Sequence, residues 1–455
     1  MAKKLFIQTY GCQMNQYDSE RIAQVLARKD YVQTDRIDSA DVILLNTCSV
    51  RDRAEQKVYS ALGSWKEFKD YRDGVIIGVG GCVAQQEGER LLRRVPHLDL
   101  VFGTHNIHKL PEMIEQVENA RERPVETAFY RDAAYMDDGV LRTHVDGVKA
   151  FVTIMQGCNK VCSFCIVPHV RGREVSRPSD KILGEIESLA RDGVKEVMLL
   201  GQNVNSYGKL TPGELSFAEL LAEVDRIDGL RRIRFTTSHP QDLSPELIEG
   251  FAMLHNLCEH LHLPVQSGAD TVLARMRRGY AKAEYLDRLA RLRDRRPGVA
   301  LSTDIIVGFP GETDGEFEET LELLRAVEYD DIYSFTYSPR PQTVSAKIYP
   351  DDVHDDVKKE RLKIVQTLQR EISLAKNRQR IGDREEVLVD GPSKLRAEQI
   401  MGRTRSNRIV NLTGSSDLIG EFVHARIIGA TANSLLGELM CANAALESQR
   451  EEVRP

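Results

Sequence analysis

The first third of the chain alternates apolar runs with amphipathic helical segments. Three of the runs end in a cysteine and a fourth does not: KKLFIQTYGC ends at Cys12, DVILLNTC at Cys48 and GVIIGVGGC at Cys82, and LDLVFGT lies near residue 100. Near-continuous apolar runs separated by helices predict a parallel sheet that is covered on both faces. Because the carboxyl ends of parallel strands meet at one edge of a sheet, we expect the three cysteines to converge there.

The alternation stops at about 118–148, where charged residues, Pro and Gly replace the apolar period, and it resumes from 149 to about 340. Helical segments here separate six apolar runs: AFVTIMQG, KEVMLLGQ, RRIRFTTS, EHLHLPVQ, VALSTDIIVGFP and DIYSFTYS. Strands that alternate with helices predict an α/β fold, and six of them predict a partial (β/α)6 barrel. The ligand site of such a barrel lies at the carboxyl ends of its strands.

The last part of the chain has a different pattern. A long basic helix is predicted at about 356–379, and short strands such as EEVLVDG, RIVNLTG and FVHARIIGA follow it, separated by Gly-rich turns. This pattern is typical of a small five-stranded β-barrel. A chain of 455 residues also exceeds one ordinary core. We therefore expect three domains, at residues 3–118, 144–376 and 379–441.

The charge balance limits how the chain meets its partners. Lys and Arg number 62 against 69 Asp and Glu, a net charge of −7, so any nucleic-acid site has to be local. The start MAKKLFIQTYGC has no signal-peptide pattern, and no run of about 18 apolar residues is present. We expect a soluble, cytoplasmic monomer without a membrane partner. In that reducing compartment the eight cysteines are core residues, metal ligands or nucleophiles rather than disulfides.

The strongest chemical signal is the triplet Cys158-Asn-Lys-Val-Cys162-Ser-Phe-Cys165, directly after the first strand of the central region. Structural zinc sites usually have four ligands in two pairs, whereas three closely spaced thiolates fit a four-iron cluster with one iron left open. An open iron can bind a substrate. A zinc knuckle that lacks its fourth ligand is the alternative interpretation.

Cys12, Cys48 and Cys82 form a second candidate set. A lone cysteine is more often an inert buried thiol, but these three occupy the same position on three predicted strands, next to small or polar residues. That shared position predicts a second cluster with an open iron. Cys258 and Cys441 have no such spacing and are interpreted as structural.

Several strings along the chain are similar to one known family. In order, they are YGCQMN, NTCSVRDRAEQK, GCVAQQ, GCNKVCSFCIVPHVRGRE, LGQNVNSYG, RIRFTTSHP, HLPVQSG, STDIIVGFPGET and FTYSPRP. They closely resemble the radical S-adenosylmethionine (SAM) methylthiotransferases, and within that family the branch that modifies dimethylallyladenosine in tRNA. The likeness runs from about residue 3 to 440, and the last part resembles a TRAM domain, an RNA-binding module of OB type. The chain departs from the family at Val161, where an aromatic residue is more usual, and at Gln342, where glycine is more usual.

The resemblance implies a reaction. The hydrogen on carbon 2 of N(6)-dimethylallyladenosine, at position 37 next to the anticodon, would be replaced by a methylthio group, giving 2-methylthio-N(6)-dimethylallyladenosine. Because that hydrogen is unactivated, ordinary acid–base catalysis does not remove it and a radical is needed. One SAM would supply the 5′-deoxyadenosyl radical and a second SAM the methyl group.

The resemblance also assigns residues. Cys158, Cys162 and Cys165 would hold one [4Fe-4S] cluster and Cys12, Cys48 and Cys82 a second, sulfur-delivering one. Residues at the ends of the central strands would contact SAM, namely Gly201, Gln202, Ser238, Gln266 and Asp304. The partners would be the anticodon stem-loop of tRNA, an electron donor such as a flavodoxin or ferredoxin, and a sulfur or cluster carrier protein.

A local basic run is the candidate RNA site. Against a single Glu398 it contains five cations, Lys394, Arg396, Arg403, Arg405 and Arg408, which suit phosphate contacts. A solvated loop is the alternative.

Two other functions stay open. Methylthiotransferases that act on a ribosomal protein or on threonylcarbamoyladenosine share both cysteine sets, and an iron–sulfur RNA-binding sensor without turnover is the non-enzymatic alternative.

Overall fold

The computed structural model of the chain describes residues 2–49, 52–136, 147–393 and 398–440. Lys394, Arg396 and Cys441 therefore lie outside the described residues. The chain divides into two compact units, one comprising Met1–Val145, Lys149–Gly229 and Ser338–Ile348, and the other Asp146–Val148, Leu230–Tyr337 and Tyr349–Pro455. No helix within the described ranges is both long enough and apolar enough to cross a membrane.

The N-terminal region is a parallel sheet with helices. Its strands are β1 (Lys3–Thr9), β2 (Tyr31–Gln33), β3 (Val42–Thr47), β4 (Ile76–Gly81), β5 (Leu100–Phe102) and β6 (Val125–Glu126). Its helices are α1 (Gln13–Ala27), α2 (Asp52–Tyr71), α3 (Cys82–Glu87), α4 (Glu89–Arg94) and α5 (Leu110–Ala120). The strand order is β2-β1-β3-β4-β5-β6, and every neighbouring pair is parallel.

Alternate residues of the central strands of this sheet enter two different cores. Ile43 and Leu45 of β3 pack in one core, with the single tryptophan, Trp65. Val42 and Leu44 pack in the other. All six residues of β3 are buried, as the continuous apolar run predicts for a sheet covered on both faces. The sheet has two strands more than the four that the pattern predicts, because β2 and β6 have only three and two residues.

The central region contains the predicted alternation of strands and helices. Its strands are β7 (Lys149–Thr153), β8 (Met155–Gln156), β9 (Val175–Ser176), β10 (Glu196–Leu200), β11 (Arg232–Phe235), β12 (His260–His262), β13 (Ala300–Val307) and β14 (Asp331–Thr336). Its helices are α6 (Val167–Val170), α7 (Ser179–Arg191), α8 (Phe217–Asp225), α9 (Pro245–Met253), α10 (Asp270–Arg275), α11 (Lys282–Arg295), α12 (Asp314–Val327) and α13 (Val344–Ile348).

The six predicted strands of this region correspond to β7 and β10 in the first unit and to β11, β12, β13 and β14 in the second. In the first unit β7 pairs in parallel with β10, and β8 and β9 form a small antiparallel pair. In the second unit β12, β13 and β14 form a parallel sheet in that order. β8 lies within the run AFVTIMQG, which predicts one strand rather than two, and β9 has no signal in the hydrophobic pattern.

A helix and a closed barrel complete the second unit. Helix α14 (Asp355–Gln379) matches the predicted basic helix. The barrel strands are β15 (Arg384–Pro392), β16 (Gln399–Thr404), β17 (Ile409–Thr413), β18 (Phe422–Ala430) and β19 (Leu435–Leu439). They close in the order β15-β16-β17-β19-β18 around an aliphatic core, so the predicted five-stranded barrel is present.

Candidate functional site

The first three cysteines all follow strands of the N-terminal sheet. Cys12 caps the start of α1 just after β1, Cys48 directly follows β3, and Cys82 is the first residue of α3 after β4. Strands β1, β3 and β4 are neighbours in the sheet. The fold therefore places the three thiols at the carboxyl ends of adjacent parallel strands.

The electrostatics of the three thiols show how close they lie. A hydrogen bond from the Cys48 thiol lowers the pKa of Cys12 to about 6. A Cβ atom on Gly11 would lie 2.9 Å from the Cβ of Cys48. Burial raises the pKa of Cys82, and Cys12 is among its charged neighbours. The three cysteines thus lie close together. Cys12 is exposed to solvent, whereas Cys48 and Cys82 are buried.

Two buried asparagines hold the loops that carry these cysteines. Asn15 accepts hydrogen bonds from the Cys12 N–H and thiol at 3.4 Å and donates to the Thr47 carbonyl at 2.9 Å. Asn46 donates to the Asn15 carbonyl at 2.8 Å. A side chain on Gly81, whose φ is +89°, would collide with the Thr47 carbonyl at 2.4 Å. These residues stand beside the cysteines in the strings YGCQMN, NTC and GGC, but spacing alone does not reveal their role.

The second trio lies in the loop between β8 and α6. The Cys158 N–H donates to the Gly172 carbonyl at 3.2 Å, and the Lys160 N–H donates to the Cys158 sulfur at 3.4 Å. Burial raises the pKa of the Cys158 thiol to about 11. All three thiols are half-buried, so the loop presents its sulfurs toward accessible space.

The donor chemistry of both trios suits iron–sulfur clusters. Three thiols with backbone N–H groups nearby are the ligands and hydrogen-bond donors that such clusters use. No three His, Cys, Asp or Glu side chains in the described ranges lie close enough to hold a single metal ion. A four-iron cluster does not need such a group, because each cysteine binds a different iron of the cube. The zinc-knuckle alternative finds no fourth ligand among these residues.

Two of the predicted SAM residues lie in the first unit, just after β10. The Gln202 side-chain oxygen accepts a hydrogen bond from the Gly157 N–H at 2.5 Å, which ties this rim to the residue before Cys158. Its Nε2 atom is buried with no hydrogen-bond partner among the described residues, which suits a donor that awaits a polar ligand. At Gly201 a Cβ atom would lie 2.5 Å from the Met155 Cγ, so only glycine fits without movement.

The other three predicted SAM residues lie in the second unit. Ser238 Oγ and Gln266 Oε1 are buried and have no hydrogen-bond partner in the part of the chain that the structure describes. Gln266 has φ of +79° and Thr237 has φ of +68°, a region that non-glycine residues rarely occupy. Asp304 Oδ1 lies 3.5 Å from His262 Nε2. Unpaired buried polar atoms and backbone strain at strand ends are typical of a ligand site.

The three described arginines of the candidate RNA run have partners within the second unit. Arg405 pairs with Glu259 at 2.9 Å, Arg408 pairs with Asp330, and Arg403 donates to the Asn407 carbonyl at 3.1 Å. In return, Arg232 and Arg234 of β11 donate to the carbonyls of Arg403 and Thr404, each at 2.7 Å. This exchange fixes the barrel to β11 and the neighbouring segments, a structural role that the charge pattern does not predict.

Three sequence families match this arrangement. Residues 152–324 match the Radical SAM superfamily, residues 4–103 match a family described as Uncharacterized protein family UPF0004, and residues 378–440 match the TRAM domain. The structure of a radical SAM methyltransferase, TsrM from Kitasatospora setae, solved with cobalamin and a [4Fe-4S] cluster, matches over 77% of its own chain and 76% of this one, with a TM-score of 0.59 at 16% identity. The predicted α/β fold class is confirmed, and the match over residues 152–324 places the chain in the class of radical SAM proteins.

Full-length relatives give the particular family. A synthase from Geobacter metallireducens is 54% identical over 96% of this chain and 98% of its own, and one from Syntrophus aciditrophicus is 50% identical over 96% and 95%. Both are tRNA-2-methylthio-N(6)-dimethylallyladenosine synthases. The chain belongs to this family. The membership confirms the predicted enzyme class, while the role of each site residue remains a prediction.

Proposed function

We propose that the chain replaces the carbon-2 hydrogen of N(6)-dimethylallyladenosine, at position 37 of tRNA, with a methylthio group and consumes two SAM molecules. The observation that carries the proposal is the presence of two separate cysteine trios on loops after strands, each without a fourth protein ligand within the described residues. The 54% identical relative carries the name of this activity over almost its full length. One cysteine trio alone would suit SAM cleavage, but it would provide no source for the sulfur atom of the methylthio group.

Each trio has its own task in this proposal. Cys158, Cys162 and Cys165 would hold the [4Fe-4S] cluster of the radical SAM region, and Cys12, Cys48 and Cys82 would hold the second [4Fe-4S] cluster. When bound, the two clusters supply the electron that cleaves SAM to the 5′-deoxyadenosyl radical and the sulfur that the base receives.

The polar residues at the strand ends would orient SAM. Gln202 Nε2 of the first unit is a buried donor that a carboxylate or hydroxyl group of SAM would pair. Ser238 Oγ and Gln266 Oε1 of the second unit are buried acceptors that an amine or a ribose hydroxyl group would pair. Gly201 and Asp304 would complete the contacts. A reactive radical also requires that water is excluded, and burial of these groups serves that need.

The C-terminal barrel and the basic run would bind tRNA. The TRAM match over residues 378–440 supports this role. We propose phosphate contacts for Lys394, Arg396, Arg403, Arg405 and Arg408. Of the described three, Arg403 has the most exposed side chain, so it is the most available to a phosphate. The target base would leave the anticodon stack to reach the cysteine loops.

The remaining expectations belong to the same proposal. The three domains would extend over residues 3–118, 144–376 and 379–441, and the family matches at 4–103, 152–324 and 378–440 support these limits. The chain would act as a cytoplasmic monomer. A flavodoxin or ferredoxin would supply electrons, and a carrier protein would supply sulfur or clusters.

Iron content tests the proposal directly. Anaerobic reconstitution is expected to load about eight iron atoms per chain, and about four after the C158A/C162A/C165A or C12A/C48A/C82A substitutions. Reduction in the presence of SAM should release 5′-deoxyadenosine from the parent and from the second variant, but not from the first.

Two outcomes would contradict the proposal. A parent that binds about four iron atoms would remove the second cluster, and a fully loaded parent that releases no 5′-deoxyadenosine would favour the RNA-binding sensor. The substrate classes separate by product, since only the proposed reaction places the methylthio group on N(6)-dimethylallyladenosine rather than on threonylcarbamoyladenosine or a ribosomal protein.

A further inference from the structure

A three-residue segment after α6, Arg171 to Arg173, reaches both cysteine trios. The Gly172 carbonyl accepts the Cys158 N–H at 3.2 Å. A Cβ atom on Gly157 would lie 2.0 Å from the Arg173 carbonyl, so this segment packs tightly against the start of the triplet loop. Val170, the residue before Arg171, packs with Cys82 in one buried cluster, and the Arg171 guanidinium lies beside the Cys82 thiol.

Arg171 is buried to an extent that is rare for arginine. Only 3% of its side chain is exposed. Its Nη2 donates to Asp18 Oδ2 at 2.6 Å, whereas its buried Nη1 has no oxygen or nitrogen acceptor among the residues that the structure describes and faces the weakly accepting sulfur of Cys82. A buried guanidinium destabilises the fold unless its charge and its donors are satisfied. Asp18 satisfies one edge of the group, and the other edge is left for a further acceptor.

The surroundings of Arg171 keep its guanidinium in place. The loop after β5 fixes the end of α6, because His105 Nε2 bonds to the Arg171 carbonyl at 2.9 Å and Thr104 Oγ1 donates to the Val170 carbonyl at 2.8 Å. Asp18 lies on α1, the helix that Cys12 caps. The Arg171 guanidinium is therefore fixed by Asp18 of α1, and the Arg171 backbone is fixed by the loop that follows β5.

We propose that Arg171 is a positioning residue of the N-terminal cysteine site, where its fixed positive charge and its Nη1 N–H group lie beside Cys82 and near Cys12 and raise the reduction potential of the cluster that Cys12, Cys48 and Cys82 would hold. The inference depends on the proposed function for the presence of that cluster. Net charge and hydrogen bonds to sulfur are the factors by which a protein sets the potential of an iron–sulfur cluster. Thiolates make the site negative, and a buried cation beside them favours the additional electron of the reduced state.

The test uses the full chain with Cys158, Cys162 and Cys165 replaced by alanine, so that only the N-terminal trio is available to iron. Its reduction potential is measured by a titration followed by electron paramagnetic resonance, with iron content measured alongside. R171Q removes the charge and keeps donors of similar size, and R171K keeps the charge. R177Q is the matched control, because Arg177 is an equally buried arginine of the same unit that pairs with Glu185 at 2.8 Å.

The inference predicts that R171Q retains about four iron atoms and titrates at a more negative potential, that R171K stays near the parent, and that R177Q does not shift. Equal potentials in R171Q and the parent, or an equal shift in R177Q, would overturn it. Should R171Q fail to load iron, restored loading and potential in R171K support the inference, and failure of R171K to load contradicts it. A parent that takes up no cluster would instead refute the proposed function.

Discussion

Two glutamines of the chain have nearly the same unusual backbone conformation in very different surroundings. Gln266, a predicted SAM contact, has φ of +79° and is buried with an unpaired Oε1, whereas Gln342 has φ of +78° and is exposed. The conformation explains why glycine is usual at the position of Gln342. At Gln266 the strained residue is retained together with an unsatisfied polar group, which is expected where a ligand completes the site.

We predict that Q266G weakens SAM binding about fivefold, because it removes one hydrogen bond worth about 1 kcal/mol. In Q266G, the relief of backbone strain at positive φ offsets part of the stability that is lost with the packing of the glutamine side chain. Q342G should leave SAM binding unchanged and raise the free energy of unfolding by up to about 1 kcal/mol. Equilibrium dialysis of SAM with the reconstituted variants measures the first effect. Unchanged SAM binding in Q266G would remove Gln266 from the site.

His105 is a buried residue that supports Arg171 through its backbone. The Tyr130 N–H donates to Nδ1 at 3.1 Å, so Nε2 carries the proton that bonds to the Arg171 carbonyl. Burial, assisted by the charges of Arg171 and His108, lowers the pKa of His105 to about 4. Tyr135 stacks on the ring, and Phe129 packs against it edge-on. The folded chain therefore keeps this imidazole neutral.

This lowered pKa predicts a loss of stability in acid. Below about pH 6.5, His105 is protonated in the unfolded chain but stays neutral in the folded chain. The free energy of unfolding therefore falls by about 3 kcal/mol as the pH decreases from about 6.5 to 4. H105Q should reduce that fall, since glutamine keeps a donor but does not titrate. Urea unfolding of the iron-free chain, followed by the fluorescence of Trp65, the single tryptophan, measures it in the same unit. An identical pH dependence in H105Q would show that other groups cause the loss.

At the residue scale, spacing predicts the six cysteines, because thiols that recur at equivalent positions after strands are typical of cluster ligands. The charged side chains around them are not predicted. Arg171 lies in the string HVRGRE, which resembles an exposed basic turn, and only the fold shows that its guanidinium is buried against Asp18. Asn15 and Asn46 are missed for the same reason.

Among the helices and strands, the hydrophobic pattern predicts strands that are buried on both faces and misses short strands that lie outside the apolar runs. Strands β3 and β4 are six residues long and completely buried. β2, β6 and β9 have two or three residues and lie outside the apolar runs, and β8 lies within the run AFVTIMQG, which predicts a single strand. The pattern also does not show that β11 holds the C-terminal barrel through arginines.

That attachment predicts a contrast between two adjacent arginines. The Arg232 side chain is fully buried and donates to the Arg403 carbonyl at 2.7 Å and the Glu386 carbonyl at 2.9 Å. Arg231 is half-exposed and pairs with Glu386 at 2.7 Å. We expect R232M to lower the free energy of unfolding by about 3 kcal/mol, since buried carbonyls and a carboxylate lose their donor. R231A should cost less than about 1 kcal/mol.

Scanning calorimetry of the iron-free chain checks this contrast through the unfolding transition that involves the barrel. Similar unfolding midpoints for R232M and R231A would mean that the hydrogen bonds of Arg232 do not hold the barrel.

At the scale of the whole molecule, sequence and structure divide the chain differently. The pattern predicts three domains, because its period changes twice, whereas the contacts form two units whose boundary falls within the central region, after Gly229. The fold class was predictable because each segment has a clear period. The identity of the modified base was not, since nothing in the described residues distinguishes one substituted adenine from another by physical argument alone. Only the similarity to full-length relatives supplies it.

The nucleosides of tRNA provide the most direct test of the account. The chain is expressed in a bacterial strain that lacks its own synthase and retains N(6)-dimethylallyladenosine, and digested tRNA is analysed by mass spectrometry. We expect 2-methylthio-N(6)-dimethylallyladenosine to appear with the parent chain and to be absent with C158A and with C82A. Its absence with the soluble, cluster-loaded parent, or its persistence in C82A, would contradict the claim that both cysteine trios are needed to modify the base.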